Sequence, residues 1–107
     1  MNIEKTKAQM RKGVLELCIL SIISTKESYA SEIIDKMKEA ELIVVEGTLY
    51  PLLTRLKNEA YLEYRWEESK SGPPRKYYTI TPIGIKVLQE LKISWNNLKT
   101  AIDKIDK

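Results

Sequence analysis

The spacing of apolar residues along this chain changes several times, and each change marks an element. Between positions 4 and 25 the sequence opens with charge and turns strongly apolar. Met10, Val14, Leu15, Leu17, Cys18, Ile19, Leu20, Ile22 and Ile23 leave apolar groups on most sides of its second half. This predicts one helix over 4–25 whose later part is buried against more than one neighbour. Thr25-Lys26-Glu27-Ser28 breaks the pattern. Ser28 stands where it can cap a second helix over 29–40, with Ile33, Ile34 and Met37 turned inward. After a short connector at 41–45, Leu49, Leu52, Leu53 and Leu56 recur at helical spacing and predict a third helix from Glu46 to Glu59. Its outer face shows Thr48, Tyr50, Thr54, Arg55 and Asn58. Pro51 is tolerated because first-turn amides have no acceptor within a helix.

The period then falls to two. Leu62, Tyr64 and Trp66 alternate with Glu63, Arg65 and Glu67, which is a strand pattern, and Tyr77-Tyr78-Thr79-Ile80 is a second short run of β-formers. The intervening stretch Glu68 to Arg75 predicts an antiparallel hairpin with a long tip. That tip is stiffened by Pro73 and Pro74 and carries the adjacent cations Arg75 and Lys76. Thr81-Pro82 starts a last helix, with threonine as N-cap and proline at the first helical position. Leu88, Leu91, Trp95, Leu98, Ile102 and Ile105 recur at alternating spacings of three and four, a heptad-type seam for which one small domain offers little packing surface.

At 107 residues the chain has the size of one domain, and no apolar run is long enough to span a membrane. The charged start Met1-Asn2-Ile3-Glu4-Lys5 lacks a signal-peptide pattern, so a cytoplasmic location is expected. The absence of histidine and the single cysteine exclude an internal disulfide, a Cys/His zinc site and hydrolase chemistry with a histidine base. No carboxylate pair stands out and there is no glycine-rich phosphate loop, so neither an enzyme nor a bound metal or cofactor is expected. Eighteen Lys and Arg against fifteen Asp and Glu give +3, a mild excess whose placement matters more than its size.

Three helices followed by a hairpin is the order of a winged helix-turn-helix, in which the third helix enters the major groove and the hairpin meets the backbone or minor groove. The fold expected is mainly α with a small β-hairpin: a winged helix-turn-helix unit over 1–81 and one long C-terminal dimerisation helix over 82–107. More specifically, the run from Gly13 to Gly84 resembles the PadR family of bacterial transcriptional regulators. The resemblance rests on Leu15-Glu16-Leu17, on Glu46-Gly47-Thr48-Leu49-Tyr50-Pro51-Leu52-Leu53 with Arg55-Leu56, and on Gly72-Pro73-Pro74-Arg75-Lys76-Tyr77-Tyr78 followed by Thr81 and Gly84. It covers about two thirds of the chain, and the single helix after it resembles the small subfamily. The chain departs from the family where glycine is common, with Ala60 after the third helix and Ala30 after the tyrosine that opens the second.

The first motif leaves little bulk at a helix start. Gly47 and Thr48 let backbone amides approach a phosphate, Tyr50 beside Pro51 offers a hydroxyl with its ring along the sugar, and Arg55 lies a further turn along. In the hairpin, Gly72 permits a tight turn and Arg75 and Lys76 present charge to phosphates. Tyr29 and Ser31 begin the helix that crosses the backbone in this fold. The plain alternatives are that Tyr50 and Pro51 only pack the helix start, and that the hairpin cations and Lys5, Lys7, Arg11 and Lys12 are ordinary solvated charge.

The terminal seam of Leu88, Leu91, Trp95, Leu98, Ile102 and Ile105 implies a homodimer, its helix packed on the partner's first helix and its two-fold axis suited to a twin half-site operator. The heptad alone makes Trp95 a core residue. The resemblance adds a second reading, a pore at the dimer centre where a small planar or hydrophobic effector stacks on Trp95 near Val14, Leu15 and Cys18. Cys18, set in an apolar run, reads as a buried structural thiol. The function expected is thus a dimeric regulator, a repressor, of a pseudo-palindromic double-stranded DNA operator, released by such an effector. The other class in view is a winged-helix protein–protein module that binds no DNA.

Overall fold

The computed structural model describes residues 2–107. In chain order it consists of α1 (Ile3–Lys12), α2 (Leu15–Thr25), α3 (Ala30–Glu39), α4 (Glu46–Asn58), β1 (Leu62–Ser69), β2 (Gly72–Ile80) and α5 (Pro82–Ile105). The long first helix expected over 4–25 is two helices. Glycine is the residue most costly to a helix interior after proline. At Gly13 the regular ladder gives way to a tight turn in which the Val14 N–H donates to the Arg11 carbonyl at 3.0 Å. The break separates α1, which buries no residue, from α2, which buries Leu15, Ile19, Leu20 and Ile23.

These α2 residues meet Ile33 and Met37 of α3 and Leu49, Leu53 and Leu56 of α4 in one core, which Leu62, Tyr78 and Leu88 complete. Ser28 does not cap α3. Its N–H and carbonyl exchange hydrogen bonds with Tyr78 at 3.1 and 2.8 Å, and its hydroxyl donates to the Lys26 carbonyl. Tyr29 occupies the cap position, and its N–H donates to the Glu32 carboxylate at 3.1 Å. Helices α3 and α4 both end in the same motif, with paired hydrogen bonds Leu42→Met37 and Glu41→Lys38 in one, and Tyr61→Leu56 and Ala60→Lys57 in the other. The residue after each C-cap is left-handed, with φ 62° at Glu41 and 65° at Ala60. Ala60 therefore keeps the turn that glycine commonly makes, at a steric cost to its Cβ.

The hairpin differs from expectation at its end. Both strands run on to Ser69 and Gly72, so only Lys70 and Ser71 form the turn. Pro73 and Pro74 stand inside β2, not at the tip. The register passes from Glu67↔Arg75 to Ser69↔Gly72, which sets the two prolines against the single residue Glu68 in a bulge. Proline fits there because a bulge on an edge strand has no ladder position for its missing N–H. Along β1 burial fades outward from Leu62 through Tyr64 to Trp66, so the alternation marks a face but only its inner end is core.

Helix α5 starts as expected, with the Thr81 hydroxyl accepting from the Gly84 N–H at 2.9 Å. The same hydroxyl donates to the Ala60 carbonyl at 2.7 Å. Gly84 passes so close to the preceding turn that a Cβ on it would lie 2.1 Å from the Tyr61 carbonyl oxygen. Gly84 and Leu88 are buried, which joins the first turns of α5 to the core. The outward seam consequently begins at the half-buried Leu91 and continues through Trp95, Leu98 and Ile102 to Ile105, 83% exposed.

Replacing Ala60 with glycine removes the left-handed penalty at the cost of extra unfolded-state freedom. We expect a net gain of about 0.5–1 kcal/mol, read as a rise of several degrees in thermal unfolding. Burial pushes the Cys18 thiol above its ordinary range. Since the thiolate is the reactive form, Cys18 should alkylate at pH 8 more than about tenfold slower in the native protein than in denaturant. Its rate should still be climbing with pH where a free thiol has levelled off.

Candidate nucleic-acid interface

The Ser28–Tyr78 bridge brings the start of α3 against the outer edge of β2, and the start of α4 shares a cleft with both. Between them lies a cleft of about 580 Å³ walled by Tyr29, Ser31, Tyr50, Gly72, Arg75 and Lys76, with the α4 residue Glu46 among them. Six of the residues singled out from the sequence thus share one cavity.

Alternation along the hairpin sorts its side chains into two sets. On one face the Arg75 guanidinium lies 4.4 Å over the Tyr29 ring, Tyr29 meets Tyr77 edge-on at 5.0 Å, and Arg65 lies 5.1 Å over Tyr77. Arg65 also donates to Glu27 at 2.6 Å and to Glu67 at 2.8 Å. Hydrogen bonding to Glu27 first, and then to Glu67, drives its pKa up still further, so its charge is permanent and internally matched. On the other face the Lys76 ammonium sits 4.6 Å from the Tyr64 ring centre and 5.2 Å from that of Trp66. Arg75 and Lys76 thus rest on aromatic rings, with no carboxylate bonded to either among the described residues. A cation over a ring keeps its charge available to a third group while its position is held. Tyr78, beneath this face, has its phenol pKa raised by burial first and then by Tyr50 and Tyr64, which keeps it neutral.

The remaining residues of the first motif are distributed around α4. Gly47 has open space where a Cβ would stand, so a phosphate has room to approach the first-turn amides. Pro51 is exposed but lies on the second turn, inside α4 and past the first-turn amides that lack acceptors, so its missing N–H costs the helix one internal hydrogen bond; Thr48 faces α1. Lys5, Arg11 and Lys12 line a groove of about 500 Å³ together with Thr48, whereas Lys7 is paired with Glu4 at 3.7 Å.

Arg55 is not in the cleft. Five residues after Tyr50, it projects about 140° further round the helix. There it forms an ion pair with Glu16 of α2. The pair lies in a groove of about 320 Å³ whose walls include Val14, Leu91, Trp95 and Leu98. Trp95 is 40% exposed there. Of the residues expected near an effector, this groove unites Val14 and Trp95. Leu15 is buried and opens onto the α1 groove, and Cys18 is half-buried outside both. Sequence reasoning missed Glu16 as the partner of Arg55, Tyr64 as a support for Lys76, and Trp66 as a wall of the cleft. The cross-strand pairing of Trp66 with Lys76 was the available signal for the last.

Comparison with known proteins agrees with this architecture. Residues 19–90 match the Transcriptional regulator PadR-like family. A PadR-like transcription factor from Bacteroides fragilis is 56% identical, with a TM-score of 0.80 over 94% of this chain and 98% of that one. A PadR-like transcriptional regulator from Bacillus cereus is 44% identical, with a TM-score of 0.80 over 92% and 97%. A PadR family transcriptional regulator from Eggerthella lenta, 28% identical, superposes with a TM-score of 0.90 over 98% and 92%. With a matching winged-helix fold and its two motifs at the start of α4 and on the hairpin, the chain belongs to the PadR-like family of transcriptional regulators.

Proposed function

We propose that this protein acts in the cytoplasm as a homodimeric repressor that binds a pseudo-palindromic DNA operator and is released by a small planar or hydrophobic effector. The observation that carries the reading is the cleft in which Arg75 and Lys76, held on aromatic rings, stand beside the first turn of α4 and Tyr50. In this reading α4 enters the major groove, and its N-terminal amides around Gly47 and Thr48 meet a phosphate. Tyr50 and Pro51 contact the sugar–phosphate strand. Tyr29 and Ser31 sit on the flanking backbone, and Gly72, Arg75 and Lys76 bring the hairpin to it. Arg55 joins the interface only by leaving Glu16, so its share of the affinity is smaller than that of Arg75.

The half-buried Leu91 and the exposed Trp95, Leu98, Ile102 and Ile105 support a two-fold interface built on α5. Leu88, on the buried face of the same helix, anchors α5 to this chain's own core instead of the interface. The groove at Val14 and Trp95 then opens toward the dimer centre. An effector bound there biases the spacing of the two α4 helices by preferring one arrangement of the pair. A change of a few ångströms is enough to spoil docking into two major grooves one helical turn apart.

Duplex from upstream of the protein's own gene should shift in a gel, more weakly at higher salt, and planar aromatic compounds should reverse the shift. Arg75→Ala should weaken binding similarly across sequences and flatten the log–log salt dependence by about 0.9, the loss of one phosphate contact. An unchanged slope would remove Arg75 from the interface. Sedimentation at micromolar concentration should return twice the chain mass, and a monomer there would overturn the α5 interface.

A further inference from the structure

Trp66 has no place in the contacts assigned above, yet it stands in the wall of the cleft, 61% exposed. It lies on β1 directly across from Lys76. Its ring is fixed from two sides: Tyr64 meets it edge-on at 6.1 Å and 90°, and the Lys76 ammonium lies 5.2 Å from its centre. The indole is thus kept upright in solvent instead of folded onto the core. With Pro73 and Pro74 of the bulge it also lines a second, mainly apolar hollow bordered by Glu67 and Glu68. Glu67 is paired with Arg65, while Glu68 has no ion pair among the described residues. A carboxylate at the hairpin end repels phosphate there, which leaves the Lys76 side of the ring as the side that an anionic strand approaches.

We propose that Trp66 is a further DNA-contacting residue, packing its indole against a deoxyribose of the strand whose adjacent phosphate Lys76 holds. A nucleic-acid backbone alternates apolar sugar with charged phosphate, and the Trp66–Lys76 cross-strand pair presents an apolar plate beside a cation. Tyr50 also lines the cleft and offers the strand a second aromatic surface. The proposal rests on the DNA-binding reading of this cleft, and the contact is sequence-tolerant because every nucleotide carries the same sugar.

The test uses the full chain and duplex from upstream of its own gene. Trp66→Ala should weaken binding by roughly five- to thirtyfold while leaving the salt slope unchanged, because no phosphate contact is lost, and Trp66→Phe should recover most of the affinity. In a Trp95→Phe chain, Trp66 is the sole indole, and its emission should change on duplex addition with the midpoint that this same Trp95→Phe chain shows in the gel. If Trp66→Ala binds like the parent while Arg75→Ala weakens binding, the Trp66 contact is overturned and the DNA reading stands. If Trp66→Ala changes the sedimenting mass in place of the affinity, the ring belongs to a protein contact and the proposal falls. If the parent itself shows no salt-dependent binding, both readings fall together.

Discussion

Two backbone hydrogen bonds between Ser28 and Tyr78 decide where the hairpin stands. A two-stranded hairpin is marginal on its own and needs a surface to settle its orientation. Here that surface is the turn between α2 and α3, where Ser28 forms a single-residue antiparallel bridge to β2. It fixes β2 along its outer edge, while Tyr78 reaches into the core from the same residue. The bridge also fixes Tyr29, next in sequence to Ser28, against Tyr77 and under Arg75. The geometry of the cleft is therefore transmitted through the main chain, and the aromatic and ionic contacts around it refine a placement already made.

The distribution of cations follows a similar division. Arg65 is matched by Glu27 and Glu67, and Arg55 by Glu16. Such exposed pairs contribute little to stability, with about 0–1 kcal/mol as the usual range. Their effect is to remove two guanidinium groups from competition for an incoming anion. Arg75 and Lys76 are supported instead by rings, which orient them without neutralising them. In a chain with a net charge of only +3, β2 thus carries two adjacent cations whose positions are held by rings.

Much of this was legible in the sequence, for identifiable reasons. The α3, α4 and α5 segments were readable because each has an apolar stripe and a recognisable boundary, such as Thr81-Pro82. The motif residues Tyr29, Tyr50, Arg75 and Lys76 came together as the order of elements implied. The break at Gly13 was hidden because apolar residues run on through it, and periodicity does not register a change of direction. The prolines at 73 and 74 read as a tip because proline usually ends a strand, whereas a bulge accommodates both. Arg55 was grouped with Tyr50 by nearness in sequence, while the turn of the helix carries it to Glu16. Trp66 shares its alternating set with Leu62 and Tyr64, and alternation assigns a face without saying how far the core extends beneath it.

The outer part of α5 raises a different matter. The helix has 24 residues, about 36 Å of length, and beyond Leu88 it buries none of them within the described chain. The stretch beyond the half-buried Leu91 is only about as long as isolated helices that are marginal in water. Its order must therefore be borrowed from whatever covers Trp95, Leu98 and Ile102, and when the cover is another copy, mass action governs the loan. Dilution then does more than separate subunits: it lets the end of the helix fray, and the groove at Trp95 loses a wall. In such a dimer the abundance of the protein would become a variable of its own shape, and a cell holding few copies would have a less ordered regulator as well as a scarcer one.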